Sequence, residues 1–98
     1  MPAVAAARTF GSDPHLQTVV VSQLWAFGDR LFLPPRLKVY DVGTPPEHLD
    51  RVLPLADTAM LYESDLTPEM SSLLRSTGFA QVGRFDDGRA RAVIVYRR

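Results

Sequence analysis

The chain has 98 residues, 46% of them apolar and 22% charged, close to the globular average and far from disordered or fibrous compositions. A chain this short supports one core, so a single domain is expected. Eleven basic and eleven acidic side chains cancel to a formal charge of zero, which withholds the basic surplus that draws nucleic acid or an anionic membrane. The absence of cysteine excludes disulfides, thiolate nucleophiles and cysteine metal sites.

Met1 to Ala7 is apolar but shorter than a signal peptide's hydrophobic segment, and Arg8 follows that stretch where a leader would place its basic residue first. The alanines show no clear period and the turn formers Gly11-Ser12-Asp13-Pro14 come behind them. Residues 1–14 therefore read as a flexible tail or linker, and residues 15–98 as a single α/β domain ending in a hairpin. Gln17 to Val21 is a continuous run with β-branched residues, suited to a strand covered on both faces. Ser22 follows as a hydroxyl cap for a short helix with Leu24, Phe27 and Leu31 on its apolar face. Gly28 weakens that helix and Pro34-Pro35 ends it. The longest uncharged stretch, Leu16 to Gly28, contains Gln17, Thr18, Ser22 and Gln23 and falls short of the roughly 20 apolar residues of a spanning helix, so a soluble chain is expected.

Leu37 to Val42 is the second strand, with Lys38 and Asp41 marking it as an edge. Thr44-Pro45-Pro46-Glu47 has capping-box spacing and predicts a second helix with Leu49, Val52 and Leu53 on its apolar face, closed by Pro54. Thr58 to Tyr62 is the third strand, and Glu63-Ser64-Asp65 is the polar step after it. Thr67-Pro68-Glu69 opens a third helix that buries Met70, Leu73 and Leu74 and ends at Gly78 in the left-handed conformation. Ala80 to Asp86 and Arg89 to Arg97 flank Asp87-Gly88, a dipeptide that predicts a two-residue hairpin turn with Asp86 opposite Arg89 and Arg84 opposite Arg91.

Strands alternating with helices predict an α/β fold: a small, mainly parallel, Rossmann-like sheet with helices on its faces. Ala92 to Tyr96 is apolar on both faces, whereas Gln81, Gly83, Arg84 and Asp86 dilute its partner. The last strand is therefore expected inside the sheet and the fourth at its edge, in the order 2-1-3-5-4 with the last strand antiparallel.

In such a sheet a ligand lies beyond the carboxyl ends of the strands, where the strand order reverses, here between the first and third strands. Ser22 and Gln23 are expected there beside Glu63, Ser64 and Asp65, with Asp41 and Thr44 one strand away. These are the candidate ligand-binding residues, although helix caps and turns ask for the same residue types in the same places. His15 and His48 lie in no metal-ligand spacing, no GxSxG elbow is present, and the turn after the first strand lacks the close-set glycines of a phosphate cradle. No metal, cofactor or catalytic residue is expected. Arg84, Arg89, Arg91, Arg97 and Arg98 form the densest basic group. With Asp86 and Asp87 among them and no interleaved exposed aromatics, they read as a solvated edge, not as a nucleic-acid surface.

The chain runs from a strand and short helix into Leu31-Phe32-Leu33-Pro34-Pro35, then Val39-Tyr40-Asp41-Val42-Gly43, a strand at Ala59 to Tyr62, and Leu73 to Phe79 (LLRSTGF) before a hairpin. From about Gln17 to Arg98 this succession resembles the soluble C-terminal domain of bacterial polyprenol-phosphate-dependent membrane glycosyltransferases of the aminoarabinose and protein mannosyl transferase type. That resemblance implies a non-catalytic accessory or interaction domain on the extracytoplasmic side, in contact with a membrane domain. No catalytic residue carries over, because that family's catalytic carboxylates lie in its membrane part. Residues 57 to 98 are also similar to the C-terminal third of class I methyltransferases, which implies an enzyme alternative with Asp41 as the ribose-binding acid. A third expectation is a standalone, cytoplasmic ligand-binding or dimerisation module, a homodimer through the edge of the second or fourth strand.

Overall fold

The computed structural model describes residues 1–23 and 32–98. Five strands, β1 (Thr18–Val21), β2 (Lys38–Asp41), β3 (Thr58–Tyr62), β4 (Ala80–Phe85) and β5 (Val93–Arg97), form one sheet in the order β2-β1-β3-β5-β4. This is the order expected from the sequence. β1 pairs in parallel with β2 and β3, whereas β5 pairs antiparallel with β3 and β4, so the sheet is mixed and its parallel part is confined to β2-β1-β3. The inner strands are the apolar ones. Val19, Val20 and Val21 of β1 are fully buried, every residue of β3 is buried, and Val93 to Val95 of β5 are buried, while Ala80, Gln81 and Val82 of β4 face solvent at the edge.

Strand alternation divides the core between two faces. Val19, Val21, Met60, Tyr62, Val93 and Val95 point to one, and Val20, Ala59 and Leu61 to the other. The first face is covered by the segment expected as a tail. Residues Pro2–Gly11 form helix α1, and Ala3, Ala6 and Ala7 are buried against the sheet. Alanine is the strongest helix former, proline in the first turn lacks an amide the helix would not use, and positions 3, 6 and 7 share one face. An almost uniform alanine run conceals that face from a polarity pattern. Phe10 of α1 meets Phe85 of β4 edge-on at 6.1 Å between ring centroids. Gly83 makes room for the same ring, since a Cβ there would sit 3.2 Å from Phe10 Cε2.

The second face carries α2 (Leu49–Val52), a following 3-10 turn over Leu53–Leu55, and α3 (Pro68–Ser76). α3 follows its sequence signals: the Thr67 hydroxyl accepts from the Met70 amide at 3.2 Å, Leu74 is buried, and Gly78 has φ +91°. α2 does not. The helix expected to open at Thr44 begins at Leu49 after His48, because the Thr44 hydroxyl donates to Asp65 and the Glu47 amide bonds to the Val42 carbonyl, turning 42–47 into a loop.

The hairpin also departs from expectation. The connection between β4 and β5 spans residues 86–92, with Phe85 opposite Val93 and Arg84 opposite Ile94, so Arg84 and Arg91 are not cross-strand neighbours and Asp86 and Arg89 do not close a two-residue turn. The Asp87 carboxylate accepts from the amides of Arg89 and Ala90, and that of Asp86 from Gly88, which holds the chain in a wider loop. A register shift between Gln81 and Gly83 adds a bulge to the edge strand. The helix expected after Ser22 lies mostly in residues 24–31, outside the described residues. Among the described residues, no helix is long and apolar enough to cross a membrane.

Candidate functional site

The carboxyl ends of β2 and β3 and the segment entering β5 meet at one edge of the sheet, and Arg91 ties them together. Its Nη2 lies 2.5 Å from Asp65 Oδ1, its Nε donates to Ser64 Oγ at 2.9 Å, and its Nη1 donates to Thr44 Oγ1 at 3.0 Å. The Thr44 hydroxyl donates in turn to Asp65 Oδ2 at 2.6 Å. The guanidinium carbon lies over the Tyr62 ring at 4.1 Å from its centroid, a cation–π contact. The Asp65 side chain is 12% exposed and that of Arg91 is 40% exposed, so the carboxylate is the sheltered member of the pair. Burial pushes the Tyr62 hydroxyl above its ordinary pKa, against the opposing pull of Arg91.

Of the seven residues expected at this edge, Thr44, Ser64 and Asp65 are brought together. Glu63 points to a second network, where Arg84 donates to it through Nε at 2.8 Å and Nη2 at 3.0 Å and also reaches Asp86 at 3.2 Å. The hydrogen bond from Arg84 holds the Glu63 carboxyl below its ordinary pKa. Asp41 accepts from the Gly43 amide at 3.0 Å and lines a separate hollow with Tyr40 and His48. Gln23 lines a hollow of about 320 Å³ with Tyr62, Arg91 and the first residues of α1. Ser22 is fully buried, its amide donates to the Met60 carbonyl at 3.3 Å, and its hydroxyl has no hydrogen-bond partner among the described residues.

Arg91 and Tyr62 are the members that sequence reasoning missed. Tyr62 reads as the last residue of an apolar strand, and Arg91 as a strand residue opposite Arg84. Only the seven-residue β4–β5 connection turns Arg91 back over β3. Chemically the cluster is a closed tie, with the hydroxyls of Thr44 and Ser64 and both carboxylate oxygens of Asp65 bonded within it. Among the described residues no group of three or more His, Asp or Glu side chains is arranged to hold a metal ion.

The chain matches no protein-family model, no curated protein and no solved structure. The resemblances to glycosyltransferase and methyltransferase domains therefore rest on their sequence features alone.

Proposed function

We propose that this chain is a non-catalytic accessory or interaction domain with a Rossmann-like parallel half, of the kind that would pack against the membrane part of a glycosyltransferase-like protein. The observation that carries the reading is the internal pairing at the carboxyl edge. Where a catalytic α/β domain presents free polar groups to its substrate, Thr44, Ser64 and Asp65 are each bonded to Arg91, and Thr44 also to Asp65. Such a tie stiffens three loops and leaves the outer surface for contact.

Two measurements test this. Purified protein incubated with a polyprenyl-phosphate sugar, or with S-adenosylmethionine and acceptors, is expected to turn over neither donor; turnover of either would overturn the reading. Arg91→Gln is expected to lower unfolding stability by about 1–2 kcal/mol, because it strips a sheltered carboxylate of its partner while part of the pair stays in water. The membrane parent is tested by the reading frame upstream of the Met1 codon. Apolar spans in frame support it, and an in-frame stop removes it.

A further inference from the structure

On the opposite side of the domain from the Arg91 tie, where α3 ends and β4 begins, a hollow of about 410 Å³ opens beneath the helix. This size falls within the roughly 300–1,000 Å³ of small-ligand sites. Its floor is apolar: Leu74 and Phe79 are 1% and 3% exposed, and the Tyr96 ring is half-buried beside them. Three polar side chains stand around it. Ser71 and Arg75 lie four residues apart on α3, hence on one face, and Gln81 comes from the exposed start of β4.

These groups differ from those at the carboxyl edge in being uncommitted. Arg84, Arg91 and Arg97 are ion-paired with Glu63, Asp65 and Asp13 respectively. Among the described residues, the side chains of Ser71, Arg75, Gln81 and Tyr96 make no hydrogen bond or ion pair. Nor is Arg75 drawn onto the end of its own helix. The carbonyls of Leu73, Leu74 and Arg75 already accept from the amides of Thr77, Phe79 and Gly78. An unpaired guanidinium with a hydroxyl and an amide beside it, over an apolar floor, complements an anion carried on an apolar body, and the planar fork of arginine suits a carboxylate.

We propose that this hollow binds a small amphipathic carboxylate, an aryl- or alkyl-substituted acid whose apolar part lies on Leu74, Phe79 and Tyr96 and whose carboxylate is held by Arg75 with Ser71 and Gln81. An accessory domain and a freestanding one would carry this hollow alike, so the proposal stands apart from the reading above.

The test is a titration of the isotope-labelled full chain with 4-phenylbutyrate, against 4-phenylbutanol and 4-phenylbutylamine as matched probes, followed by amide chemical shifts. The acid is expected to give saturable shifts confined to Ser71, Arg75, Phe79 to Gln81 and Tyr96, and to bind more tightly than the alcohol, with no saturable shifts from the amine. Arg75→Gln, a change on the exposed helix surface whose folding the same spectra report, is expected to weaken the acid about tenfold and leave the alcohol unchanged. The proposal is overturned if millimolar acid gives no saturable shifts, if acid and alcohol bind alike, if Arg75→Gln binds the acid as well as the parent, or if the shifts fall at Thr44, Ser64 and Asp65.

Discussion

Thr44 and Thr67 stand in nearly the same local sequence, each followed by proline with a glutamate close behind, yet only Thr67 caps a helix. Its hydroxyl accepts from the Met70 amide, and Thr67→Ala is expected to cost about 1 kcal/mol, read as a lower urea midpoint at unchanged slope. At Thr44 the hydroxyl is engaged by Asp65 and Arg91, residues 21 and 47 positions away. A cap is legible from four consecutive residues. A hydroxyl that answers to distant partners is not, and for that reason the polar residues of the site could be named from the sequence while the arginine that gathers them could not.

Among the elements, β3 and α3 were legible because their signals are local: a short apolar run for one, a cap and a terminal glycine for the other. The alanine-rich segment was misread because helix α1 buries small side chains that no polar stripe sets off. Ala7 is fully buried on the sheet, so Ala7→Leu is expected to destabilise the protein by about 1–3 kcal/mol through overpacking, measured by urea unfolding. In a flexible tail the same change would leave the midpoint where it was. The hairpin departs for another reason. Gly88 takes the positive φ the dipeptide favours, +77°, but the Asp87 carboxylate accepts from two successive amides and the loop runs on to residue 92 before β5 begins.

Across the whole molecule, charge pairs between distant segments, local amide bonds to carboxylates and burial of phenols together shape how its stability depends on pH. Asp13, bonded to the His15 amide and to Arg97, and Glu63, bonded to Arg84, are both held below their ordinary values of 3.8 and 4.5. Asp87 is likewise lowered by the amides of Ala90 and Arg89. Each folded-state pKa lies below the unfolded one, so the unfolded chain takes up protons first. The stabilisation is present at neutral pH, begins to fade as pH falls through the ordinary values, and is gone below the lowered ones. Tyr62 and Tyr96 are raised above 10.0 by burial, so the folded chain keeps its phenolic protons longer and stability falls as pH rises past that value. Urea midpoints measured from acid to alkaline pH are expected to form a plateau bounded by both declines; an unchanged midpoint down to pH values well below 3.8 would contradict the acid limb.

The strand order carries a consequence in time. β5, the last strand in the chain, lies between β3 and β4, which do not pair with each other. As the chain leaves the ribosome, its earlier strands can assemble at most a β2-β1-β3 ribbon with one long apolar edge uncovered, and β4 has no partner to join. Only when residues 93–97 emerge does the sheet have its middle, so the closing pairs, Tyr62 with Val93 and Thr58 with Arg97, must form after the other four strands have been made. Until then the β3 edge that β5 will cover keeps its backbone groups unpaired.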